Sequence, residues 1–230
     1  MKIKPICIIP ARSGSKRIKN KNIINFFGKP IISYPIIAAK NSKIFSKIIV
    51  STDTKKIEKI VKKFGAECPF IREKKLSDDK SSTKEVLIDA IKKLKTYNVP
   101  YHFLVYPTCP TITKEDFVSA YNLIKRKKAN ALIAVTKYSN SPLRSFCLKK
   151  GNIEFNWKNY QKYNSQDLPD HYYDTGTFYI FKTTELIKSK KFLLKKTIPY
   201  LIPRNKGVDV NTQDDLNFLN LIFKNKNKKN

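Results

Sequence analysis

Ile6-Cys7-Ile8-Ile9-Pro10-Ala11-Arg12-Ser13-Gly14-Ser15-Lys16-Arg17-Ile18-Lys19-Asn20-Lys21-Asn22, near the start of a chain of 230 residues, decides how the rest is read. The unbroken apolar run Ile6 to Ile9 has the pattern of a strand buried on both faces, as in the centre of a parallel sheet. Pro10 ends it by removing a ladder donor. Ser13, Gly14 and Ser15 then allow a sharp turn that can expose backbone N–H groups, with Arg12, Lys16, Arg17, Lys19 and Lys21 around it. Exposed amides after a first strand, ringed by cations, form a nest for phosphate oxygens. The glycine spacings of a Walker A loop and of a dinucleotide fingerprint are both absent.

Outward from this stretch the pattern alternates. A helix through about Asn41 carries Ile32, Ile36, Ile37 and Ala39 on one face, and Ile48 to Ser51 reads as a second strand. Asp53 or Thr54 caps the next helix, with Gly65 as its stop. Cys68 to Arg72 reads as a short third strand, followed by a Ser/Asp-rich loop and an amphipathic helix. Phe103 to Tyr106 and Ala131 to Val135 are further buried strands, with a helix capped by Thr113 between them. Strand alternating with helix predicts an α/β fold: a doubly wound, mostly parallel sheet covered on both faces. From 137 to 175 the helical period disappears and Tyr, Asn, Ser and Lys dominate, a length unusual inside a compact domain unless it serves a site or an interface. Thr177 to Phe181 resumes as a strand, Ile198 to Ile202 reads as an edge strand, and Thr212 caps a last helix ending at Phe223. Residues 1–223 are therefore read as one domain with 137–175 inserted, and 224–230 as a disordered Lys/Asn tail.

Pro10-Ala11-Arg12-x-Gly14-Ser15-Lys16 followed by Lys21-Asn22 resembles the signature of the acylneuraminate cytidylyltransferases, Rossmann-like nucleotidyltransferases that couple CTP to nonulosonic acids. Gly28-Lys29-Pro30 also recurs in that family. The resemblance implies nucleotide binding by Ala11, Arg12, Gly14, Ser15, Lys21 and Asn22, with Arg72, Ser81 and Ser82 near the cytosine; helix capping explains either serine equally well. It implies a dimerisation arm at 137–175 that helps close the sugar site, and a homodimer. Gln166, Tyr172 and Asp174 are the implied sugar contacts, with Tyr106 standing where sialic acid enzymes have a glutamine. Arg12, Lys21 and Asp209 are the implied catalytic residues, and Mg2+ the cofactor. The segment Asp209-Val210-Asn211 departs from the family's Asp-x-Asp, so the metal ligands would be Asp209 and Asn211, or Asn211 would only shape a turn. The turn before Gly176 looks closer to members acting on pseudaminic acid than to those acting on sialic acid, with activation of sialic or legionaminic acid as the alternative.

The net charge of +29 comes mostly from lysine dispersed along the chain. Nucleic-acid recognition clusters basic residues and aromatics on one face, so no nucleic-acid partner is expected, although a basic nucleic-acid-binding protein remains the alternative from another class. A hydrophobic fraction of 41% fits a globular domain. No apolar run is long enough to span a bilayer, and no signal peptide is expected. Cys7, Cys68, Cys109 and Cys147 lack CxxC spacing and read as free thiols of a cytoplasmic protein. His102 and His171 are too few for a metal cluster.

Overall fold

The computed structural model describes residues 3–78 and 81–227. Strand β1 (Ile6–Ala11) is buried along its whole length. Cys7 and Ile9 point into one apolar layer and Ile6 and Ile8 into another, so each face of the strand needs a cover. A two-residue hairpin, β2 (Asn25–Phe26) and β3 (Lys29–Pro30), leads to α1 (Ser33–Ser42), β4 (Lys47–Thr52) and α2 (Lys55–Lys62). Then follow α3 (Thr83–Lys93), β5 (Tyr101–Val105), α4 (Lys114–Lys127) and β6 (Ala131–Lys137). After the hairpin β7 (Phe146–Lys149) and β8 (Asn152–Phe155) come β9 (Tyr172–Lys182), α5 (Thr183–Ser189), β10 (Thr197–Leu201) and α6 (Gln213–Asn227).

Six strands form one sheet in the order β10-β6-β9-β5-β1-β4. Pairing is parallel throughout except at β9, which lies antiparallel between β5 and β6. Ile36 of α1, Val61 of α2 and Phe117 of α4 pack on one face; Leu87 of α3 and Leu186 of α5 pack on the other. The sheet is thus doubly wound and mostly parallel, as the alternation predicts. A third cluster seats α6 (Leu216, Leu219) against Ile18, Phe26, Val208 and Val210, which ties the C-terminal segment to the phosphate turn.

Four readings change. Pro10 does not end the first strand: β1 continues through it, with Pro10 and Ala11 in register with Ser51 and Thr52. The expected strand Cys68 to Arg72 makes a single isolated bridge, Ile71 to Thr52, with another just before it at Glu67 to Ile49, because Pro69 cannot donate to a continuous ladder. β9 takes in Tyr172–Thr175, assigned from sequence to the arm: Tyr172, Tyr173 and Asp174 pair with Lys137, Thr136 and Val135. Helix α6 runs to Asn227, past the expected end at Phe223, while the rest of the tail, 228–230, lies outside the described residues. No helix among the described residues is long and apolar enough to cross a membrane.

Candidate active site

The chain leaves β1 toward β4 on one side and later returns to place β5 on the other. At such a switch point the loops leaving the strands' carboxyl ends diverge and leave a crevice. Here the crevice is a cleft of about 620 Å³, lined by Pro10 near the end of β1 and Arg12 just after it, and by Tyr106, Pro107 and Thr108 after β5. Ser15, Lys16, Arg17, Lys21 and Asn22 line one side, and Arg72, Ser81, Ser82 and Thr83 line the other. Asn211 reaches the same cleft from the C-terminal segment. The folded chain thus gathers seven of the nine residues assigned to nucleotide binding; Ala11 is buried at the end of β1 and Gly14 stands exposed on the turn, neither lining the cleft.

The phosphate turn is built differently from the nest expected. The Ser13 N–H and hydroxyl both donate to the Asp53 carboxylate at 2.9 Å, and the Ser15 N–H donates to the Ser13 carbonyl at 2.9 Å. Two of the three amides read as phosphate donors, those of Ser13 and Ser15, are thus already used within the protein. Asp53 stands outside the cleft lining and supports the turn, whereas sequence reading offered it only as a helix cap. Of the two candidate caps for α2, Thr54 takes the role, accepting from the Ile57 N–H at 3.4 Å, which leaves Asp53 to hold the turn. The Asn22 amide donates to the Arg12 carbonyl at 2.8 Å and fixes the turn from below. Arg12 donates to the Asp78 carbonyl across the cleft.

Lys21 donates to the Val210 carbonyl at 2.6 Å. Burial lowers its pKa, with Asp209 opposing and Arg17 and Arg12 adding to the fall. Asp209 shows the reverse: partial desolvation raises its carboxyl, while the Asn211 hydrogen bond and the charge of Lys21 pull it down. The two groups therefore stabilise each other's charged forms. Arg72 is only 4% exposed, and its Nε donates to the Ser77 hydroxyl at 3.1 Å. Ser82 caps α3 in a reciprocal capping box with Glu85, and the Ser81 hydroxyl is bonded to the Lys75 carbonyl at 2.7 Å. Both serines border the cleft with their hydroxyls engaged in the loop.

The sugar-side assignments separate. Tyr106 lines the cleft, its hydroxyl 2.9 Å from that of Thr83, and burial raises its pKa so that it stays a neutral phenol. Asp174 accepts from the Tyr179 hydroxyl at 2.8 Å and from the Gly176 N–H at 3.0 Å. Gly176 has φ +57, and a Cβ there would lie 2.9 Å from the Asp209 carboxyl carbon, so this position needs glycine for both reasons. Thr175 is buried, with its hydroxyl on the Ala134 carbonyl at 2.8 Å. Gln166 lies in an exposed turn and Tyr172 at the exposed start of β9, and neither lines the cleft of the single chain.

Magnesium prefers oxygen ligands and keeps several waters. The Asp209 carboxylate suits it. Asn211 does not suit direct ligation: its Oδ1 accepts from Arg17 at 2.7 Å while its Nδ2 donates to Asp209 at 2.6 Å. The amide cannot be turned, since a guanidinium only donates and a carboxylate only accepts. Among the described residues no cluster of three or more His, Cys, Asp or Glu could hold a metal. An ion here would need oxygens from a bound ligand.

Residues 6–145 match the family described as cytidylyltransferase. The pseudaminic acid cytidylyltransferase of Campylobacter jejuni is 39% identical over 96% of this chain and 97% of its own length. The chain belongs to the cytidylyltransferase family. The CMP-N,N'-diacetyllegionaminic acid synthase of Legionella pneumophila is 30% identical over 91% of this chain and 92% of its own. Among solved structures, a CMP:2-keto-3-deoxy-manno-octonic acid synthetase complexed with CTP superposes with a TM-score of 0.72 at 16% identity, covering 97% of this cytidylyltransferase and 99% of that chain. That likeness shows a shared fold.

Proposed function

We propose that this cytidylyltransferase couples CTP to pseudaminic acid, giving the CMP-linked sugar and pyrophosphate. The observation that carries the reading is the cleft itself. It joins a cation-ringed turn after β1 to a polar wall at Arg72 and Ser81–Thr83 and to the Asp209–Asn211 segment. The 39% identity to the Campylobacter jejuni pseudaminic acid enzyme supports the choice of sugar.

In this reading the sugar's anomeric hydroxyl attacks the α-phosphorus of CTP and pyrophosphate leaves. Such a transfer needs alignment and charge neutralisation more than covalent catalysis. Arg12, Lys16 and Lys21 face the triphosphate, and Lys21 stabilises the charge that grows on the phosphoryl oxygens. Arg72 and the α3 end of the cleft read the cytosine edge. Tyr106 borders the sugar. Mg2+, held by Asp209 and the phosphates, would supply Lewis-acid polarisation of a phosphoryl oxygen. Asn211 acts one step back, orienting Asp209 and Arg17.

The arm makes the protein a homodimer in this reading. An isolated two-stranded hairpin is marginal in water. The β7–β8 hairpin nonetheless shows Leu148 at 80% and Ile153 at 64% exposure, directly opposite each other, with Trp157 at 52% nearby. A second copy would cover them and could bring Gln166 and Tyr172 to the sugar. A cytoplasmic location, where CTP is available, agrees with four unpaired thiols.

The test is a matrix of pseudaminic, legionaminic and sialic acids against the four nucleoside triphosphates with Mg2+, measuring pyrophosphate. Release with pseudaminic acid and CTP far above the other combinations is expected, because buried polar contacts reject analogues strongly. Equal release from UTP and CTP would refute the nucleotide assignment, and preference for another acid would move the sugar assignment.

A further inference from the structure

We propose that Lys206 and Asp116 form a positioning pair that sets where Asp209 stands beside the cleft. The inference rests on the role given to Asp209 above and adds two residues outside the cleft lining.

Asp209 lies in an extended segment after β10, without a helix or sheet ladder of its own. Its position depends on what grips its neighbours. On the far side Lys21 holds the Val210 carbonyl at 2.6 Å, and Asp215 accepts from the Asn211 N–H at 2.9 Å. On the near side the grip is Lys206. Its ammonium donates to both oxygens of Asp116, at 2.8 and 3.0 Å, and its carbonyl accepts from the Thr111 hydroxyl at 3.0 Å. Side chain and main chain of one residue are thus fastened to two points on the segment that leads from β5 into α4. Gly207 follows with no slack: a Cβ there would lie 2.6 Å from the Thr175 side chain. Asp209 therefore hangs between two pins, and the one at Lys206 is an ion pair.

The pair is shielded. The Asp116 side chain is 9% exposed and that of Lys206 26%. Asp116 is also itself fixed, since its carboxylate accepts from the N–H and hydroxyl of Thr113, both at 2.9 Å, in the α4 capping box. A cation fastened to an already anchored carboxylate gives a reference point that does not drift. Removing the ammonium leaves the Thr113 cap and the Thr111 bond to the Lys206 carbonyl intact, so α4 persists while the segment bearing Asp209 loses its charged pin and shifts between the contacts that remain. Small misplacements of a group acting on a reacting phosphate are expensive in rate.

The experiment compares Lys206→Met, Lys206→Arg and Asp116→Asn in the full chain. Lys206→Met is expected to lower kcat roughly tenfold or more with the KM for CTP within about twofold, because the proposed CTP contacts lie on other elements. Lys206→Arg recovers most of the rate. Asp116→Asn, which keeps an oxygen for the Thr113 N–H but loses the charge, gives the same loss confined to kcat. In an Asp209→Glu background, which keeps the carboxylate but displaces it, Lys206→Met adds much less than its loss in the wild type, as expected of a residue acting through the position of residue 209. The proposal is overturned by a wild-type kcat in Lys206→Met, by equal losses in kcat and CTP affinity, or by fully additive losses with Asp209→Glu. Failure of the functional reading is separate: it would appear as a wild-type enzyme that releases no pyrophosphate from CTP with any sugar acid.

Discussion

Lys21 is the residue on which the chemistry can be tested most sharply. It is half-buried, its nitrogen fixed on Val210, and its charge is disfavoured by burial yet supported by Asp209. Lys21→Ala is expected to lower kcat/KM by about 10²-fold, the order of loss for one charge-stabilising donor. Lys19→Ala, two positions away and outside the cleft lining, should change it little; initial rates of pyrophosphate release compare them. A similar loss in both would mean that the turn acts only as a diffuse basic patch. Asp209→Ala should leave no measurable rate at any accessible Mg2+ concentration. An active Asp209→Ala enzyme would remove the metal from this segment. These residues were legible because the signature is contiguous: Arg12, Lys21 and Asn22 lie within eleven positions. Asp53 was not, because its bonds to Ser13 span 40 residues and nothing local distinguishes it from a helix cap. The same holds for Lys206 and Asp116, 90 residues apart.

Elements were read best where hydrophobic period and burial agree. β1, α3 and α4 bury the residues that their patterns mark. Reading failed where pairing, rather than composition, makes the strand. β7 escaped notice because Phe146, Cys147, Leu148 and Lys149 show no clean alternation, and only the partner strand β8 orders them. The start of β9 was hidden in the same way by polar and aromatic residues. The hairpin also carries a prediction. Replacing its cross-strand pair by Leu148→Glu with Ile153→Lys keeps the two positions attractive to each other while removing their apolar surface. The variant should elute as a monomer where the wild type is a dimer in sizing with light scattering. A wild type already monomeric at micromolar concentration would refute the arm as the interface.

At the scale of the molecule, His102 couples stability to pH. It is fully buried in β5, its ring nitrogens 2.8 and 3.0 Å from the hydroxyls of Thr183 and Thr96, and burial pushes its pKa down to about 4. Unfolded, it titrates near 6.5. Between these values the unfolded chain binds a proton that the folded chain refuses, so stability is complete above about pH 6.5 and falls toward pH 4. The contribution is roughly 3 kcal/mol. Denaturant unfolding across that window should show the slope in the wild type and a flatter curve in His102→Gln. A second whole-molecule consequence comes from the place of β9. Neither β5 nor β6 pairs with the other; both pair with β9, which arrives after residue 171. The region matched by the family, 6–145, therefore lacks the strand that joins β6 to the rest of the sheet. A fragment ending at residue 145 should lack a cooperative melt. On the ribosome, β5 and β6 must wait as open edges until the arm has been made, and that interval is when the nascent chain is most exposed to aggregation.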